Sequence, residues 1–253
     1  MRKLIKIELF KLFYGKKLVY FYVGFSAAVF LFILYLRIVA PGDSFGNIVK
    51  TSIDVFSMFA VLVGVILALV LFNQEIQQKT IKSLLVTPVK RLEILFSKLF
   101  VSIFVSLLIL IVLYLTSIIA TTLLFGFFEA GVYSPSEDNI LTFMMGTIQL
   151  VTAFFTTIFY STIIICIFLI TDSLTITMVG VVLLRGLGEL VSRRLIDQNN
   201  LLLYFSPLGI LHILNPIATN QPLIGYLIQL FLAICYSIVI FYICLKVFEN
   251  KEF

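Results

Sequence analysis

The chain has 253 residues, 61% of them hydrophobic and 12% charged, with a formal net charge of +5 and a mean hydropathy of +1.16. A water-soluble domain of this size needs far more charge to cover its surface. A soluble enzyme, a disordered tail and an ordinary nucleic-acid-binding domain are therefore excluded, and the basic excess fits loops held on the inner side of a membrane.

In chain order, the first segment is Arg2–Lys17, which mixes six basic residues with Leu4, Ile5, Ile7, Leu9, Phe10, Leu12, Phe13 and Tyr14. Wrapped as a helix, these apolar positions form no clean face. The long Lys side chains can still snorkel while the rest lies in the headgroup layer. Two readings stand: an anchor held by anionic lipid, and a docking surface for a cytoplasmic partner. The segment is no signal peptide, because its apolar stretch begins only at Leu18, is too long, and lacks a small-residue cleavage site.

A bilayer core of roughly 30 Å needs about 20 apolar residues per helix. The runs that meet or approach this are Leu18–Leu36, Ile53–Phe72, Leu99–Phe125, a fourth within Ile140–Ile170, Leu174–Leu190 and Leu223–Leu245. They are apolar on every face, as helices in lipid must be, and do not alternate like barrel strands. Ile140–Ile170 is too long for one straight span. It predicts a separate interfacial or re-entrant piece first, with Gly146 as the break. The expected fold is an all-α integral membrane protein of six transmembrane helices, a single transmembrane domain over 1–253. It carries a cytoplasmic interfacial segment at 1–17, a cytoplasmic elbow at 73–98 and an outer or re-entrant segment at 191–222. With the N-terminus inside, thirteen Lys and Arg fall in the inner segments. Three fall outside: Lys50, Arg193 and Arg194. Both termini are then cytoplasmic. Cys166, Cys235 and Cys244 lie in apolar runs and read as small buried hydrophobes.

The inner loop 73–98 carries the most information. Glu75, Gln78, Lys79 and Lys82 follow one helical face, while Ile76, Thr80, Ile81 and Leu84 fall on the other. Glu75 precedes Lys79 by four residues, the favourable order for a helical pair. Val86 and Thr87 close this helix before Pro88. Thr87 then caps a second helix that has Pro88 at its first position. That helix carries Lys90, Arg91 and Lys98 straight into the third span. An amphipathic helix joined to a span is either a lever or a loop whose apolar face rests on lipid.

The string Glu75, Thr80, Lys82, Leu84, Leu85, Pro88, Arg91, Lys98 resembles the pattern of small type-2 ABC transporter permeases, the six-span subunits of bacterial exporters of antibiotics, lantibiotics and other amphipathic peptides. Members that export phenol-soluble modulins or confer lantibiotic immunity are similar. Where the family commonly has Gly before the Thr, this chain has Lys79, and Ser97 stands where Gly often precedes the Lys. The resemblance implies that Glu75, Lys79, Thr80, Lys82, Leu84, Leu85, Pro88 and Arg91 contact an ABC ATP-binding subunit. It also implies a second permease chain, identical or related, and ATP and Mg bound by the partner subunit with no cofactor in this chain. No Walker-type phosphate loop occurs in the sequence.

Ionisable groups at membrane depth are costly and face protein, water or a partner charge. Arg185 and Glu189 are four residues apart at the outer end of the fifth run, as a self-paired bridge or an outer gate. Thr152, Thr156, Thr157 and Ser161 form a hydroxyl stripe on the fourth span, as helix glue or as path lining. Asp172 is expected to cap the fifth helix, and a second contact to the ATP-binding subunit is open there. Pro207 and Pro216 bracket a short interfacial or re-entrant segment, in which His212 has no metal-ligand neighbours. No nucleophile–base pair or catalytic metal motif is present. Together with the resemblance, these features predict the permease subunit of an ATP-driven exporter in a bacterial cell membrane, its neighbours being membrane lipid and an amphipathic cargo, with no nucleic acid. The alternatives are an ATP-independent secondary carrier and a non-transporting immunity or scaffold protein.

Overall fold

The computed structural model describes residues 2–14, 17–77, 91–125, 137–184 and 223–250. Among them the secondary structure is helical: α1 (Arg2–Tyr14), α2 (Lys17–Val39), α3 (Phe45–Gln77), α4 (Arg91–Phe125), α5 (Glu137–Thr171), α6 (Leu174–Leu184) and α7 (Leu223–Asn250). Five stretches among the described residues are long and apolar enough to cross a membrane: Leu18–Val39, Phe45–Val70, Leu92–Phe125, Thr142–Thr171 and Leu227–Asn250. Of the expected fifth span, Leu174–Leu184 is described and helical, and the remainder lies outside the described residues.

Several boundaries differ from the sequence reading, each for a local reason. α3 begins at Phe45, well before the apolar run at Ile53. Ser44 starts it: its Oγ accepts from Asn47 N at 3.4 Å and its carbonyl accepts from Ile48 N at 3.1 Å. Lys50, placed above in an outer segment, and Asp54 therefore lie inside a long apolar helix. At the junction of α5 and α6 the cap is Ser173 rather than Asp172. Ser173 Oγ accepts from Ile176 N at 3.4 Å and its carbonyl accepts from Thr177 N at 3.1 Å. Asp172 closes α5 instead, its N–H donating to Phe168 O at 2.9 Å, with φ of 51°. That left-handed conformation is one Asp tolerates better than most residues.

The expected break at Gly146 is absent, for α5 runs unbroken from Glu137 to Thr171. The glycine serves a different purpose. A Cβ at position 146 would lie 3.3 Å from Ile53 Cδ1 and 3.5 Å from Lys50 Cα, so the missing side chain lets α5 approach the backbone of α3.

Contacts divide the chain into two compact units. One comprises Lys11–Val61 and Ser106–Phe154. Its core is Val29 and Ile33 of α2, Ile48 of α3, and Leu113, Ala120 and Phe125 of α4, with Phe25, Phe56 and Leu150 packed against it. Rings of α2 and α3 meet edge-on, Phe25–Phe56 at 5.8 Å and Phe32–Phe56 at 5.5 Å. Arg37, in the last turn of α2, lays its guanidinium 4.9 Å from the centre of the Phe125 ring. This cation–π contact steadies a charge that the helix carries out of its apolar run.

The other unit comprises Met1–Phe10, Leu62–Val105 and Phe155–Phe253. Here Phe96 of α4 meets Phe241 of α7 at 6.2 Å, and Cys244 Sγ donates to Thr162 O of α5 at 3.6 Å. Cys166, Cys235 and Cys244 are free; Cys244 is buried, whereas the other two are half-buried.

The Gly146 contact yields a graded expectation. Gly146→Ala is near neutral, because about 1 kcal/mol of helix propensity offsets a tight but adjustable contact with the end of Ile53. Gly146→Leu forces α3 and α5 apart and costs about 1–3 kcal/mol. Thermal or detergent unfolding of the two variants checks the difference; equal stabilities would remove the close approach.

Candidate functional site

The loop that the sequence singles out is flanked by the end of α3 and the start of α4. Glu75 lies in the last turns of α3 and Arg91 is the first residue of α4. Lys79, Thr80, Lys82, Leu84, Leu85 and Pro88 lie outside the described residues, as do Arg185, Glu189, His212 and the segment 191–222. From Arg91 the helix continues without interruption to Phe125, as expected for a loop helix that runs directly into the third apolar run.

Lys98, the last residue of the family-like string, is the group the structure develops most. It sits two turns into α4 and is only 1% exposed. A buried ammonium is tolerated only when paired. Its partner is Glu8 of α1, 7% exposed, with Nζ and Oε1 3.7 Å apart. Both residues make further interactions. The first helix is thereby tied through an ion pair to the base of α4, within one compact unit. Around Lys98, α4 presents Ile94, Leu95, Ser97, Leu99, Val101 and Ser102 as a buried face. The hydroxyls add no unmet donors, because Ser97 Oγ donates to Ile94 O and Ser102 Oγ to Leu99 O, both at 2.8 Å.

This arrangement gives α1 a polarity opposite to that of an ordinary amphipathic helix. Its acid points inward, while Ile7, Phe10 and Tyr14 are exposed together with Lys6 and Lys11. The apolar trio follows spacings of three and four, which lines it along one side of the helix. Sequence reasoning missed Glu8, although a signal was available: it is the lone acid among the six bases of Arg2–Lys17.

The hydroxyl stripe of α5 is wholly buried: Thr152, Thr156, Thr157 and Ser161 are all close to zero exposure. Thr152 Oγ1 donates to Gln149 O at 2.6 Å, and Ser161 Oγ is buried with no hydrogen-bond partner among the described residues. All four hydroxyl side chains are packed inside the chain. Thr171 Oγ1 and Thr177 Oγ1 lie 3.3 Å apart across the turn that holds Asp172.

A family model described as ABC-2 family transporter protein matches residues 4–185. The chain belongs to the ABC-2 transporter family. No curated protein and no solved structure matches it. The matched span begins in α1 and runs through α6, so it contains Glu8, the 73–98 loop and Lys98. As an ABC-2 permease the chain is a multi-pass membrane component of a transporter, and membership implies an ABC ATP-binding partner.

The buried pair makes a sharp prediction about α1. Removing one partner, as in Glu8→Gln or Lys98→Met, leaves an uncompensated buried group and costs about 3–5 kcal/mol. The double substitution Glu8→Met with Lys98→Met recovers most of that loss. Hydrogen exchange across α1 reads it directly: protection falls in either single variant and returns in the double. Unchanged protection in both singles would mean that the pair does not hold the helix.

Proposed function

We propose that this ABC-2 chain is the permease subunit of an exporter that moves amphipathic or hydrophobic cargo out of a bacterial cell. Peptides such as toxins, lantibiotics or antimicrobial peptides are the favoured cargo. In this reading the chain spans the membrane six times with both termini cytoplasmic. A second permease chain, a copy or a relative, completes the pathway, and the ATP-binding partner holds ATP and Mg.

The observation that carries the reading is the unbroken α4. A helix of 35 residues extends for about 52 Å at 1.5 Å per residue, longer than the roughly 30 Å hydrocarbon core. An ATP-binding dimer gripping the 73–98 loop at Glu75, Lys79, Thr80, Lys82, Leu84, Leu85, Pro88 and Arg91 would push on the start of this rod. Because Lys98 is tied to Glu8, the push moves α1 with α4. Asp172, in the turn between α5 and α6, is the candidate for a second contact with the same partner. Arg185 and Glu189 are kept as an outer gate.

The favoured cargo class follows from the lining chemistry. Apolar helices with few ionisable groups suit a guest with its own apolar surface better than a hydrated ion. Thr152, Thr156 and Ser161 are buried within the chain, so they reach a path only if α5 changes its packing during the cycle.

The test begins with gentle purification of the tagged chain from its native membrane. A stoichiometric ATP-binding subunit is expected to accompany it and to be lost when the 73–98 loop is mutated. Charge reversal by Glu75→Lys or Arg91→Glu is expected to lower cargo-coupled ATP hydrolysis by about 5- to 150-fold, the usual range of coupling between sites. A chain that purifies alone and transports without ATP would replace this reading with a secondary carrier. A chain that is alone and inactive would replace it with a membrane scaffold or immunity protein.

A further inference from the structure

Helices α2 and α4 leave an open groove of about 520 Å³ between them, within the unit formed by Lys11–Val61 and Ser106–Phe154. Small residues make the space: Ser26 and Ala27 on α2, Thr116 and Ala120 on α4, with Val23 and Phe30 beside them. No charged side chain lines it. Its hydroxyl protons are already committed within their own helices, Ser26 Oγ donating to Val23 O at 2.8 Å and Thr116 Oγ1 to Val112 O at 2.7 Å. The groove therefore offers a guest apolar surface and no side-chain donor.

Arg37 stands beyond one end of the groove, on the same side of α2. Val23, Phe30 and Arg37 follow one another at intervals of about two helical turns, so they share one stripe. At 1.5 Å per residue, Arg37 lies about 9–21 Å along α2 from the lining residues Leu31 back to Val23. On α4, Phe125 carries the ring that the Arg37 guanidinium overlies, and it lies about 8–14 Å beyond Ala120 and Thr116. The two helices therefore advance together toward the cation. The apolar stretch of α2 ends at Val39, which places Arg37 where the helix leaves the hydrocarbon. One leaflet contributes about 15 Å of the core, so the groove occupies the depth of that leaflet's acyl chains. Arg37 is exposed, and no acid pairs with it among the described residues.

We propose that the α2–α4 groove and Arg37 form a binding site for a phospholipid with a net negative headgroup. One acyl chain lies between the helices and the phosphate meets the Arg37 guanidinium. A guanidinium fork suits phosphate oxygens, and a hydrocarbon chain needs none of the hydrogen bonds that the lining lacks. An extended peptide would bring backbone donors and acceptors that go unmet there. A second copy of this chain fits less well. Two copies with the same orientation in the membrane are related by an axis along its normal. A contact through this groove would then bring both Arg37 side chains to one level, like charge against like. An anionic lipid brings the opposite charge to that level.

The chain contains no Trp, so Phe30→Trp puts a single reporter on the groove, at a ring already 37% exposed. The transporter, with its ATP-binding partner, is reconstituted in phosphatidylcholine vesicles that contain rising fractions of chain-brominated phosphatidylglycerol or chain-brominated phosphatidylcholine. Bromine quenches an indole it touches, and subtracting the signal of the unsubstituted transporter isolates the reporter. Half-maximal quenching is expected at an about fivefold lower fraction of phosphatidylglycerol, the effect of one basic side chain on an anionic lipid. Arg37→Gln in the same background removes the preference and leaves the quenching. Absence of quenching by either lipid would overturn the site, because protein such as a second copy would then cover the groove. Equal quenching by the two lipids would overturn it by showing ordinary solvating lipid. A preference that survives Arg37→Gln would overturn it as well, by placing the headgroup contact elsewhere.

Discussion

Hydrocarbon offers no hydrogen bonds, so a helix that crosses it must satisfy each of its polar groups from within the protein. In this ABC-2 chain that constraint decides what almost every polar side chain on a packed helix face does. The common solution is local: Ser52, Ser97, Ser102, Thr121, Thr162 and Ser237 each donate to a carbonyl three or four residues earlier in the same helix. Such hydroxyls can be buried at little cost, leaving the helix surfaces effectively apolar. The exceptions then stand out. Glu8 and Lys98 are charges that meet across two helices, and Asp54, Ser117, Gln149 and Ser161 each bury a polar atom that the described residues do not satisfy. One exception ties the first helix to the rod of α4.

Much of this was legible in the sequence, because lipid imposes a simple rule on composition. Runs apolar on all faces identified α2, α3, α4, α5 and α7, and the family resemblance of Glu75 through Lys98 agrees with the ABC-2 match over residues 4–185. What the runs could not reveal was where a helix starts when its first turns are polar. The cap at Ser44 carries α3 back through Asn47 and Lys50, so Asp54 reads as the edge of a run although the helix places it well inside. Gly146 is ambiguous in the same way. A glycine inside an apolar helix can mark a break or a close contact, and only the partner surface, here Lys50 and Ile53, separates the two.

Polar positions were harder still, because their meaning depends on which helices become neighbours. The stripe of Thr152, Thr156, Thr157 and Ser161 was visible from spacing alone, but its burial on this chain could not be inferred from α5 in isolation. Asp172 and Ser173 are both good capping residues. The choice between them rests on the backbone, which puts Asp172 in the left-handed region and Ser173 at the start of α6. Glu8 differs, since its solitary negative charge among bases was a local signal that its helix meets a cation.

The apolar stretches of this chain have unequal lengths, from 22 residues at Leu18–Val39 to 34 at Leu92–Phe125. At 1.5 Å per residue they cover about 33 Å and about 51 Å. One bilayer thickness cannot match both, so the longer helix must tilt or project while the shorter one sets how the protein seats in the membrane. A thicker or thinner bilayer would then change the inclination of α4 before it strained α2. The lipid composition of the host membrane thereby becomes a mechanical setting on the same helix that carries Lys98.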